Sequence, residues 1–142
     1  PTMRRLVDPL RVRHDNTSFI EGMLVKHPGL DVPGGIPDQL RERYPAVVHP
    51  LVRTHPVSGR RALYLGGRFM RGIEGMHADE SRALLGFLLQ HAADERFQCR
   101  WRWTPGDVAI WDERSTNHRS AGDHFPQVRE IRRVECGGAV PV

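Results

Sequence analysis

Between residues 97 and 103 the chain alternates without a break: Phe97, Cys99, Trp101 and Trp103 stand at odd positions, with Gln98, Arg100 and Arg102 between them. Successive side chains of a β-strand point to opposite faces, so this stretch reads as a strand with one apolar face. Thr104-Pro105-Gly106-Asp107 follows as a tight turn, with Pro second and Gly third as a type II turn prefers. Val108-Ala109-Ile110-Trp111 reads as a second strand and Gln127 to Cys136 as a third. Strands late in the chain, joined by hairpin-like links and preceded by helices, predict a fold that is mainly β with flanking helices. Such a chain builds a β-barrel or sandwich core with helices on one side.

The earlier residues read as follows. Thr2 to Arg13 is predicted as a helix with Thr2 as N-cap and a kink at Pro9. Residues 14–35 are rich in Gly, Pro and small polar groups and read as a long loop, either a lid or a connector. Ile36 to Tyr44 makes a short helix with Pro37 in its first turn. Ala46 to Arg53 is a strand whose Pro50 places that position at an edge or a bulge. His55-Pro56-Val57-Ser58-Gly59 is a turn, and Arg61 to Leu65 returns as the second strand of a hairpin. Asp79 is the expected N-cap of a helix to about Ala93, with Leu84, Leu85, Leu88, Leu89 and Ala92 as its core stripe. No internal repeat or low-complexity segment is present.

A length of 142 residues fits one domain, and 39% hydrophobic with 27% charged residues is ordinary for a soluble globular protein. The longest apolar stretch, Ala83 to Leu89, is far short of the roughly 20 residues a membrane helix needs. No signal peptide opens the chain, and its start at Pro1 implies a removed Met or a piece of something longer. Cys99 and Cys136 are too few for a disulfide scaffold and read as reduced, mostly buried thiols of a cytoplasmic protein. The net charge is +4, and Lys26 is the only lysine. The arginines are interleaved with acids, as in Arg41-Glu42-Arg43, without an aromatic-spaced basic stripe, which argues against nucleic acid as a partner.

The chemistry concentrates late. His118 follows a strand end and the polar turn Asp112-Glu113-Arg114-Ser115-Thr116-Asn117. The other seven histidines make no HxxxH or HExxH spacing, and adjacent His14-Asp15 point apart on an extended chain. Arg129 and Arg133 lie eleven and fifteen residues beyond His118. On a strand they share a face with Ile131, about 13 Å apart. That face is either a barrel interior, where each guanidinium needs an anion, or solvent, with Val128 and Val134 packed on the other side.

The run Phe97 to Asp112, continued through Thr116 and His118 to Arg129 and Arg133, resembles the C-terminal motif of the taurine dioxygenase family of iron(II)- and 2-oxoglutarate-dependent enzymes. His49-Pro50-Leu51-Val52-Arg53-Thr54-His55-Pro56-Val57-Ser58-Gly59 and Asp79 to Leu85 are similar to it as well, in order, over about residues 45–135. The resemblance implies a double-stranded β-helix (jelly roll), incomplete at its N-terminal side. Residues 1–142 would be the C-terminal portion of one domain, with 1–45 a helical or lid segment and 46–142 jelly-roll strands and one helix. It implies Fe(II) in a 2-His-1-carboxylate triad, with 2-oxoglutarate as cosubstrate and O₂. His118 matches the distal His ligand, Arg129 the arginine that pairs with 2-oxoglutarate, and Arg133 the arginine that holds an anionic substrate; Trp111 would wall the site. The implied reaction hydroxylates a small organic anion such as an alkylsulfonate, alkyl sulfate or aryloxyalkanoate, in a homo-oligomer.

The departures from the family pattern are specific. The other two ligands come from an His-x-Asp motif that belongs upstream of anything in this chain, as does the early Thr that touches 2-oxoglutarate. Glu113 stands where Asn is commonest, and Gly137-Gly138-Ala139-Val140-Pro141 differs from the usual Gly-Asp before its Pro. Three functions therefore compete: an active dioxygenase, a non-catalytic chain that binds an anion or a partner chain, and a basic nucleic-acid module.

Overall fold

The structure, a computed structural model, describes residues 2–122 and 124–137; the Gly138–Pro141 part of the tail lies outside the described residues. The first helix, α1 (Thr2–Val7), is shorter than the expected Thr2–Arg13. Pro9 has no N–H to donate and disfavours helical geometry at Asp8, so the chain leaves the helix there instead of kinking within it. It continues as a strand, β1 (Arg11–His14), whose residues alternate exposed and buried.

The predicted loop at 14–35 contains a ten-residue helix, α2 (Thr17–Lys26), with Ile20 buried. Asp15 Oδ1 accepts the Thr17 N–H at 2.9 Å, which opens the helix, and Asn16 Nδ2 ties it to the Leu40 carbonyl at 2.9 Å. The helix α3 (Ile36–Arg43) forms as expected, with Pro37 in its first turn. The predicted strand at 46–53 divides into β2 (Val47–Pro50) and β3 (Val52–Thr54). Between them Leu51 is fully buried; its N–H donates to Leu10 and its carbonyl accepts from Tyr64, both at 2.8 Å. That one residue hands the chain from one sheet to the other.

The hairpin of β3 with β4 (Arg61–Leu63) is antiparallel, with Val52 opposite Leu63 and Thr54 opposite Arg61. Gly59 takes a φ of 67° in its turn, a left-handed conformation that favours glycine. The other sheet runs β2-β1-β5, with β5 at Met70–Ile73. Pro50 thus lies on an edge strand, where its missing donor costs least. Both neighbours run antiparallel to β1, which pairs Val12 with His49 on one side and Ile73 on the other.

The helix α4 (Ala78–Ala92) has its cap two residues before the expected Asp79. His77 is the N-cap, and its side chain and that of Glu80 form a reciprocal capping box. Leu85 and Leu88 are buried with Val7, Val12, Leu51, Leu65 and Ile73, so one side of α4 closes the core over β1 and β5. Ser81 Oγ accepts the Ile73 N–H at 2.8 Å, which fixes α4 to the end of β5.

The strands expected at 97–103, 108–111 and 127–136 do not form among the described residues. Only the turn between the first two closes as expected: Asp107 N–H donates to Thr104 O at 3.1 Å and Gly106 has φ 91°. Alternation specifies a strand's two faces, but a strand also requires a hydrogen-bonded neighbour, and none pairs with residues 98–137 among the described residues. Most of their apolar members remain exposed, Ile110 at 94% and Val128 at 99%, and Cys99 and Cys136, expected to be mostly buried, are exposed as well because no strand pairing covers them among the described residues. The antiparallel pairing agrees with expectation, but the described residues are mixed helix and strand where a mainly β fold was expected, and their strands make two small sheets and no closed jelly roll.

Candidate active site

Residues 112–118 form a turn organised around one carboxylate. Asp112 Oδ1 accepts from the Arg114 backbone N–H at 2.9 Å and from Arg114 Nε at 2.8 Å. Its carbonyl accepts from the Ser115 and Thr116 N–H groups, both at 3.1 Å, and from Thr116 Oγ1 at 2.7 Å. The paired Arg114 guanidinium, and after it the His55 hydrogen bond, hold the Asp112 carboxyl well below the usual carboxylate range.

Three of the four expected site residues meet beside this turn, around Glu113. Its Oε1 accepts from Trp111 Nε1 and from Arg133 Nη2, each at 2.7 Å. His118 Nδ1 lies 3.4 Å from the same oxygen, and His118 Nε2 lies 3.4 Å from Arg133 Nη1. The Trp111 and His118 rings are 5.5 Å apart, tilted by 50°. Arg133 also reaches Glu135 Oε1 at 2.6 Å. Arg129 stands apart from this group and donates to Ser120 Oγ at 2.5 Å. The common strand face expected for Arg129, Ile131 and Arg133 does not form, because among the described residues 127–136 has no strand neighbour to impose a period of two.

The group can bind anions: Arg133 already holds two carboxylate oxygens, in the manner guanidinium favours. It does not hold a metal by itself, since among the described residues no group of three or more His, Cys, Asp and Glu is placed to do so. Iron(II) therefore does not fit these residues alone. The sequence does contain one His-x-Asp, at His77-Ala78-Asp79. There the His77 side chain accepts the Asp79 N–H as the cap of α4 and Asp79 pairs with Arg82, so the motif serves the helix.

Sequence reasoning missed Glu113, treated only as a replacement for Asn, although a carboxylate between Trp111 and two basic groups is a natural acceptor. It gave no role to Asn117 and named His55 only within the family-like run His49–Gly59, since their partners lie 52 and 57 positions away and leave no local signal.

Residues 1–134 match the profile of the taurine catabolism dioxygenase TauD, TfdA family. An alpha-ketoglutarate-dependent sulfate ester dioxygenase of Pseudomonas putida is 47% identical over 94 residues, 66% of this chain and 31% of that protein. The alpha-ketoglutarate-dependent 2,4-dichlorophenoxyacetate dioxygenase of Cupriavidus pinatubonensis is 37% identical over 137 residues, 93% of this chain and 47% of that protein. A taurine dioxygenase structure from Burkholderia xenovorans superposes with a TM-score of 0.52 at 31% identity, over 74% of this chain and 29% of that one. The chain thus spans between about a third and about a half of the length of these two curated relatives.

Proposed function

The chain belongs to the taurine catabolism dioxygenase TauD, TfdA family, and from that premise we propose that it supplies the anion-binding part and one metal ligand of an Fe(II)- and 2-oxoglutarate-dependent dioxygenase. The fold it serves is the jelly roll, and the substrate is a small organic anion: an alkylsulfonate, an alkyl sulfate or an aryloxyalkanoate. His118 contributes the ligand, Arg129 pairs with the far carboxylate of 2-oxoglutarate, Arg133 holds the anionic head, and Trp111 walls the site. When bound, the iron and cosubstrate supply oxidation by O₂.

The observation that carries this is the convergence of His118 and Arg133, 3.4 Å apart, on one carboxylate-occupied locus. Glu113 shows by example what Arg133 takes: an oxyanion at 2.7 Å. The named relatives act on sulfate ester and 2,4-dichlorophenoxyacetate, two molecules that share an anionic end. For such a substrate to reach Arg133, it must displace Glu113.

A second proposal, a non-catalytic chain that binds an anion or a partner chain, draws on the absence of a three-ligand group among the described residues. One assay separates the two. The chain is incubated with Fe(II), ascorbate, O₂ and 2-oxoglutarate, alone and joined to the upstream residues of a family domain that carry His-x-Asp. Succinate is then measured with and without an alkylsulfonate or alkyl sulfate. Substrate-stimulated succinate is expected only from the joined protein. No succinate from a folded joined protein would leave the non-catalytic alternative.

A further inference from the structure

Among the described residues no strand pairs with the turn that carries His118; two polar tethers reach it from beside the β3–β4 hairpin. The first starts at His55, which is 9% exposed. His55 Nδ1 accepts from the backbone N–H groups of Val57 at 3.3 Å and Ser58 at 3.1 Å. A backbone N–H only donates, so Nδ1 carries the lone pair and Nε2 the proton. Nε2–H therefore donates to Asp112 Oδ2, 2.8 Å away. The second tether is Asn117, whose Nδ2 donates to the carbonyl of core residue Leu65 at 3.0 Å. His55 precedes β4 and Leu65 follows it, so the anchors lie on both sides of one strand.

We infer that His55 and Asn117 are positioning residues: their hydrogen bonds to Asp112 and to the Leu65 carbonyl set where the 112–118 turn, and with it the His118 imidazole, sits against the β3–β4 hairpin. The inference rests on the proposed role of His118 as a ligand, because a ligand has to be held within about 0.5 Å of its working place. Each tether ends on a partner with its own support. Asp112 is the centre of the turn, bonded to Arg114, Ser115 and Thr116. Leu65 is 3% exposed and packs in the core. Asn117 is next to His118 in the chain, so its bond to Leu65 limits rotation of the backbone that aims the ring.

Hydrogen exchange on the 142-residue chain tests this through the Ser115 and Thr116 amides, which the turn protects. His55→Ala removes the first tether. Asn117→Asp keeps the size of the second but removes its donor. Each is expected to speed exchange at 112–118 by about tenfold, as loss of a charged or buried hydrogen bond does. Amides of β1 and β5 keep their rates. His55→Gln, which retains an acceptor and a donor, restores most of the protection. Unchanged exchange at Ser115 and Thr116 in both variants would overturn the inference. So would protection lost equally across β1 and β5, or a Gln variant as fast as the Ala variant. The role of His118 is read separately, in the joined protein: succinate formation that survives His118→Ala would end the ligand proposal and leave the tethers standing.

Discussion

His14 and His49 show how burial can lead a titration. His14 Nδ1 lies 3.0 Å from the Val12 carbonyl, which can only accept, so that nitrogen is protonated and Nε2 holds a lone pair. Nε2 is buried without a hydrogen-bond partner among the described residues, and a Cβ added at Gly66 would stand 2.9 Å from it. Burial lowers the His14 pKa, against smaller opposing effects of the Val12 bond and Asp15. Burial also lowers that of His49, followed by repulsion from His14, Arg11 and Arg53. Both folded values lie below the ordinary 6.5. Above 6.5 both rings are neutral whether folded or not, and the stability is fully present. As pH falls below 6.5, the unfolded chain takes up protons that the fold refuses, and stability drops until the folded values are passed. Urea midpoints at about pH 7.5 and about pH 5.5 should therefore differ more for this protein than for a His14→Gln/His49→Gln variant; equal differences would assign the acid loss to other groups. The two candidate arginines give a second residue-scale prediction, in the joined protein. Arg129→Gln should raise the KM for 2-oxoglutarate and Arg133→Gln the KM for the anion, each by about 2–5 kcal/mol if the partner charge stays buried. Equal weakening of both ligands by both variants would refute the division. These arginines and His118 are candidates because a motif in fixed order carries them, whereas Glu113, His55 and Asn117 make contacts that spacing does not encode.

Elements with strong local signals were readable, and elements defined by a partner were not. The Asp79–Leu85 segment announced α4, but the cap proved to be His77, an unusual cap residue that works because Glu80 completes the box. The α4 attachment is testable: Ser81→Ala leaves the buried Ile73 N–H without its acceptor and should cost about 1–3 kcal/mol in urea denaturation. A smaller loss would mean that water takes the place of the hydroxyl. The helix α2 was hidden by the polar composition of 14–35, although Asp15-Asn16-Thr17-Ser18 is a run of cap-forming residues with Glu21 three positions after Ser18. β1 was hidden because four residues make a weak pattern and a helical reading of Thr2 to Arg13 ran over most of them. The opposite error fell on 97–103, where alternation is clear and no strand pairs with it among the described residues.

At the scale of the molecule, two parts of the chain stand in different conditions. Residues 2–97 carry all the helices and strands found among the described residues, and the apolar core of Val7, Val12, Leu51, Leu65, Ile73, Leu85 and Leu88. Residues 98–137 add turns and the tethered segment, while Trp101, Val108, Ile110, Phe125, Val128 and Val134 are exposed. Backbone without a ladder is open to proteases, and exposed alternating apolar residues favour pairing with another strand. Arg100, Arg102, Arg119, Arg129, Arg132 and Arg133 offer trypsin many sites in this region. Trypsin should therefore cut first within 98–137 and more slowly within 2–97. The tethers from His55 and Asn117 should make Arg114, at the Asp112 turn, a slower site than Arg129 or Arg132. If the upstream part of a family domain provides the missing strand neighbours, the joined protein should lose the early cuts at Arg100, Arg102 and Arg132 together, because one ladder protects all three. Mass spectrometry of the first fragments decides the outcome. Early cleavage within 2–97 would mean that the core there does not stand without a paired 98–137, and persistent cleavage at Arg100 in a folded joined protein would mean that the alternation at 97–103 serves something other than strand pairing.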